Sequence, residues 1–210
     1  MPVQSDQDPE AAAMITIYRF RAIEAAVRHA GYGKDIEWSE TVMPPRTTRQ
    51  FAREVIYVVC NSGMRNSVAR PIFERCMAAL RQGDSVTTVF GHPGKGVAID
   101  FIWKERKRLF AEYRSAEDKV EFCGELPWIG PVTKYHLVKN FGGNFAKPDV
   151  HLKRLADAED CTSQELCQRL ADESGYRAAT IDLILWRACA DRIINSARYL
   201  SAGWDKSFDT

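Results

Sequence analysis

The residues best equipped for chemistry lie between Leu126 and Arg154. Asp149 stands two positions after Lys147 and two before His151, and another lysine occupies position 134. A carboxylate in such a setting stabilises a developing positive charge and orients water for attack. A lysine amine attacks a carbonyl carbon to form a Schiff base. Asp149 also precedes the helix-forming run Val150 to Ala158, where an aspartate is a natural N-cap, so taken alone it has a purely structural reading. Upstream, Leu126-Pro127-Trp128-Ile129-Gly130 reads as a tight hairpin entering a helix. Pro131 suits the first helical position, where its missing N–H costs nothing. The free N–H groups and positive end of that helix can hold a phosphate without reading sequence. The helix ends at Gly142-Gly143, and a Gly/Pro-containing loop delivers Asp149.

The elements that must position these residues read as helices. Expected spans are Ala11 to Ala30, stopped by Gly31-Tyr32-Gly33; Arg49 to Cys60, capped by Thr47 or Thr48; and Arg65 to Arg81, ended by Gly83. Phe90 to Gly96, with its glycines and proline, reads as a loop. Val97 to Tyr113, Ala116 to Phe122, Val150 to Ala158, Ser163 to Ser174 and Arg177 to Leu200 complete the set. Thr162 and Glu165 have the spacing of a capping box. The β-rich run Val55 to Cys60 is too short for periodicity to decide. No partner strands appear elsewhere, so it is assigned to a buried helix.

Composition bounds the answer. The 210 residues, 45% hydrophobic, suffice for one large domain or two small lobes. Lys plus Arg is 29 and Asp plus Glu is 28, a net charge of +1, which excludes a uniformly basic coat and an acidic disordered chain. The charge is unevenly spread. Residues 126–154 carry four lysines and Arg154 against Asp149, and 104–114 hold five basic and two acidic residues, whereas 157–173 carry six acids and one arginine. No apolar run approaches the roughly 18–20 residues that span a bilayer. Met1 to Glu10 is polar and acidic, unlike a signal peptide. The expectation is therefore a cytoplasmic monomer with no membrane partner. Cysteines 60, 76, 123, 161, 167 and 189 form no CxxC pair and no zinc or iron–sulfur pattern, so they are read as reduced thiols filling the core.

The hairpin followed by an aspartate resembles the signature of the helix-hairpin-helix (HhH-GPD) DNA glycosylase superfamily, which includes endonuclease III and 8-oxoguanine glycosylase. Leu126 to Gly130 matches the hairpin, and Asp149, nineteen residues after Gly130, matches the catalytic aspartate in its Asp-x-His setting. Val58 to Gly63 through Ser67 to Arg70 is similar to the family's early helix–loop–helix. Ile181 to Trp186 is similar to its C-terminal lobe. The likeness covers roughly residues 45–190.

The resemblance implies an all-α, two-lobed fold with a groove between the lobes. One lobe would combine 1–45 with 146–210; the other, 46–145, would carry the helix-hairpin-helix at about 116–141. It implies double-stranded DNA containing a damaged or modified base as partner, with base flipping and hydrolysis of the N-glycosidic bond by Asp149 in base-excision repair. Trp128, Gly130, Val132, Thr133, Lys134 and His151 would meet the DNA backbone. Asn61, Ser62 and Arg65 would fill the gap or contact the partner base, and Tyr57, Trp38, Trp128 and Trp186 would line a base pocket. Lys95 could touch phosphate; His92 has no assigned role. No cofactor is implied beyond a monovalent ion on hairpin backbone carbonyls.

Two departures from the family pattern matter. Strand-nicking members carry a lysine where this chain has Val132, which implies a monofunctional enzyme using water. Lys134 is two residues further on, about 200° around a helix. Trp128 replaces a glycine and either packs beneath the hairpin or lies against the base pocket. The alternatives are a glycosylase/lyase using Lys134 or Lys147, and a non-catalytic module that binds DNA structure.

Overall fold

The computed structural model describes residues 14–202, and among them the chain is all-helical with no β-sheet. The polar segment Met1 to Glu10 lies outside the described residues. Two compact units divide the chain: one over 14–42 and 142–202 of the described residues, the other over 43–141.

The continuous unit is built around α3 (Thr48–Asn61), which packs with α4 (Asn66–Gln82) and α5 (Pro93–Ser115). The ambiguous run Val55 to Cys60 is helical. Its Val55, Ile56, Val58, Val59 and Cys60 are all buried, with Phe51 and Ala52 one turn earlier, so tertiary burial overrides their strand propensity. Phe51 meets Phe110, Tyr113 and Phe141 at ring-centroid distances of 5.8, 5.5 and 5.4 Å. Burial pushes the Tyr113 phenol and the Cys123 thiol up to about 12. Two short helices follow, α6 (Lys119–Glu125) and α7 (Thr133–Asn140), joined through Leu126 to Val132. Asp118 caps α6 by accepting the Val120 and Glu121 N–H groups at 2.7 and 2.9 Å.

Glu54 on α3 is half-buried and accepts the Asn140 amide at 2.7 Å. Burial raises its pKa, and the Asn140 bond only partly offsets this. The folded pKa therefore lies above the unfolded one. Any stability this group lends is present below the ordinary carboxylate range and is lost as pH rises through the folded pKa. Glu54→Gln is expected to flatten this decline and to leave the protein more stable than the parent at neutral pH, as denaturant melts across pH would show.

The discontinuous unit holds α1 (Ile17–Val27), α2 (Gly33–Thr41), α8 (Val150–Asp157), α9 (Ser163–Ser174), α10 (Ala178–Ala190) and α11 (Ser196–Ala202). Its core includes Phe20, Ile23, Leu152, Leu155, Leu166, Leu170, Ile181 and Ile184. The capping box at Thr162 and Glu165 is formed.

Three boundaries correct the sequence reading. Gly31 does not stop the first helix: at φ 96° it kinks the chain within a π-type turn over Arg28–Tyr32, and α2 resumes at Gly33. The expected loop Phe90 to Gly96 instead opens α5 at Pro93, with His92 Nδ1 accepting the Lys95 N–H at 3.3 Å. The glycines there serve close packing. A Cβ on Gly94 would lie 2.5 Å from the Trp128 ring, and one on Gly96 would lie 3.0 Å from Thr87. Finally, the single helix Arg177 to Leu200 is two helices. The chain turns at Arg192, φ 61°, and Asn195 Oδ1 accepts the Arg198 N–H at 3.1 Å to start α11.

Candidate functional site

Asp149 is the N-cap of α8. Its Oδ1 accepts the N–H groups of His151 and Leu152 at 3.0 and 3.1 Å, and its Oδ2 lies 3.0 Å from Lys147 Nζ. Capping thus engages one oxygen and leaves the other to the ammonium. The Asp149 side chain is 15% exposed and that of Lys147 21%. Asp149 is also close enough for its charge to add to the burial that pushes the Cys189 thiol up to about 12.

The loop that presents Asp149 is fixed by hydrogen bonds to residues later in the chain. Gly142 O accepts from Arg177 at 2.5 Å, Asn144 Oδ1 accepts the Ala179 N–H at 3.0 Å, and the Ala146 N–H donates to Gln164 at 2.8 Å. The Lys147 N–H donates to Asp182 Oδ1 at 3.1 Å, and Asp182 is buried. Across Pro148, the Asp149 N–H bonds back to Lys147 O at 2.8 Å. Asp182 lies on α10. Its anchoring role has no sequence signal beyond a charged residue in an apolar helix.

Trp186 joins this cluster. Lys147 Nζ lies 5.4 Å from its ring centroid and the Arg187 guanidinium 4.9 Å, within cation–π range. The His151 ring is held by Ser196, with Nδ1 3.0 Å from Ser196 Oγ. It lines an open depression of about 380 Å³ with Arg154, Arg192 and Asn195. Trp38 is on α2 and half-exposed.

In the continuous unit, Leu126 and Ile129 are buried and root the hairpin, with the Ile129 N–H donating to Leu126 O at 3.0 Å. Between them Trp128 has φ 64°. A left-handed residue in a tight reversal is a position that glycine fills without strain, and it costs about 1–2 kcal/mol for a residue with a Cβ. Gly130 leaves open space, since an added Cβ would meet nothing within 4 Å. Val132 is exposed at the start of α7, Thr133 is its first residue, and no side chain caps that end. Gly130 O accepts the Lys134 N–H at 2.9 Å. The Lys134 side chain folds back onto α6, with Nζ 3.4 Å from Glu121. No group of three or more His, Cys, Asp or Glu side chains converges among the described residues.

The α3–α4 connection carries the other candidates. Asn61 Nδ2 donates to Tyr57 O at 2.9 Å, so its amide serves its own helix end. Tyr57 packs edge-on to Phe73 at 5.4 Å and donates to Asn66 at 3.0 Å. Arg65 is exposed at the start of α4. Ser62 accepts, through its carbonyl, the ammonium of Lys95 at 2.5 Å. Lys95 is 5% exposed, a correction to its reading as a phosphate contact in a loop. Desolvation lowers its pKa. Ser62 and Trp128, proposed separately from sequence, line one open pocket of about 530 Å³ with Lys95 and His92. No helix among the described residues is long and apolar enough to cross a membrane. Comparison with family models, with curated proteins and with solved structures gave no match.

Proposed function

We propose that this chain is a helix-hairpin-helix DNA glycosylase that hydrolyses the N-glycosidic bond of a damaged or modified base. The observation that carries the reading is Asp149: an Asp-x-His aspartate whose Oδ1 is fixed by two backbone N–H groups while Oδ2 faces a single ammonium. As the bond from base to deoxyribose breaks, its electrons leave with the base and positive charge builds on the sugar. A fixed carboxylate stabilises that charge without reorganising, and it orients the water whose oxygen adds to the sugar carbon. The water's proton goes by way of solvent to the departing base, which leaves as the neutral free base, and an abasic site remains. The uncapped start of α7 and the cationic depression at His151, Arg154 and Arg192 supply donors of the type that hold phosphates.

The test is release of free base from duplexes carrying oxidised, alkylated or mispaired bases, followed by alkali to reveal abasic sites. No release from any lesion, with duplex binding retained, would leave a non-catalytic DNA-binding module.

Lys147 separates the water mechanism from the amine alternative. Lys147 meets Asp149 Oδ2 in the resting protein, and only an interaction stronger in the transition state speeds the chemistry, so Lys147→Ala is expected to change base release by less than about tenfold if water is the nucleophile and to abolish it if the Lys147 amine is. Borohydride should trap no covalent DNA adduct with parent or variant. An adduct that Lys147→Ala or Lys134→Ala abolishes would replace hydrolysis with Schiff-base chemistry.

A further inference from the structure

The pocket of about 530 Å³ in the continuous unit is not used by the chemistry above. Its walls include three rings, Trp128, His92 and Phe90, and two cations, Lys95 and Arg75; no carboxylate lines it. Trp128 is one of the lining residues. It is 46% exposed although tryptophan is an apolar ring, and it occupies a left-handed backbone position at φ 64°. Two contacts hold the ring. It lies over Gly94, where any side chain would overlap it, and it meets His92 edge-on at 5.0 Å. His92 Nδ1 accepts the Lys95 N–H, so in the neutral ring the proton sits on Nε2 as a donor. Behind these, the buried Lys95 ammonium ties α5 to the Ser62 carbonyl and leaves a positive field at the pocket floor.

We propose that this pocket receives an unpaired nucleotide of a DNA strand, its base stacked on Trp128 and its phosphate met by Arg75. The inference rests on the DNA reading above and adds a second base site to it. Sequence-tolerant stacking on an exposed aromatic ring beside cations is how proteins grip unpaired bases. Trp128 gives that ring at the cost of backbone strain that glycine would avoid.

The test uses full-length Asp149→Asn protein, so that no excision perturbs binding. Affinity is measured for a fully paired duplex, the same duplex with one unpaired nucleotide, and free adenosine monophosphate. The parent should prefer the unpaired duplex over the paired one. In Trp128→Gly that preference ratio should fall about tenfold, with the unfolding midpoint unmoved or raised. Gly94→Ala, which pushes on the ring without removing it, should reduce the ratio too, and Trp128→Phe should retain part of it. An unchanged ratio in a folded Trp128→Gly overturns the proposal. Free nucleotide bound as tightly as the strand overturns the assignment to a strand. If no lesion is excised but the ratio still depends on Trp128, the pocket stands and the glycosylase reading falls. If excision occurs and the ratio ignores Trp128, the reverse holds.

Discussion

Asp149→Asn is expected to lower base release by about 10²–10⁴-fold while leaving the protein folded. Asparagine caps a helix as well as aspartate does, and its amide oxygen can keep the bonds now made to the His151 and Leu152 N–H groups. What disappears is the negative charge opposite the developing cation. Asp149→Ala should be equally inactive but should also lose the cap, about 1 kcal/mol of stability. The pair separates chemistry from folding: single-turnover base release reads the first, denaturant unfolding the second. Undiminished release by Asp149→Asn would remove this residue from the reaction and with it the proposed mechanism.

The largest expected loss of stability lies at Glu159. Its side chain is 2% exposed, and it draws together three donors far apart in sequence. These are the Ile15 N–H at 2.7 Å, the Tyr199 hydroxyl at 2.9 Å and the Arg169 guanidinium at 2.5 Å. Arg169 also donates to Ile15 O at 3.1 Å. Burial, and then the Glu159 charge, push the Tyr199 phenol well above its ordinary range. Glu159→Ala removes the acceptor shared by a guanidinium, a hydroxyl and an amide, a loss of about 3–5 kcal/mol. Glu159→Gln keeps acceptor capacity and should cost about 1–3 kcal/mol. Urea denaturation of the two variants checks the order; a loss under about 1 kcal/mol for alanine would mean that water replaces the carboxylate.

The helical class was legible because apolar residues recur at helical spacing and no alternating runs occur. Boundaries failed where one residue type serves two ends. Gly31 and Gly94 both read as breakers, yet one only kinks the chain and the other clears room for a ring. The Asp-x-His aspartate after a Gly/Pro loop stood out locally. Its partners did not. Asp182, Gln164 and Arg177 reach the loop across separations of 35, 18 and 35 residues, and spacing carries no angular information at that range. Trp128 was legible as a tryptophan in a tight turn, but its left-handed backbone, φ 64°, is not something a residue type announces.

The divided unit also sets an order of events during synthesis. Residues 43–141 are complete when the ribosome has delivered them, whereas 14–42 must wait for 142–202. The bond between Ile15 and Glu159 spans 144 positions, and no shorter chain can close it. A chain ending near residue 160 would carry Asp149 on a loop still lacking Gln164, Arg177 and Asp182. The loop that carries Asp149 is therefore assembled late, after residues 43–141 have everything their own unit needs to form.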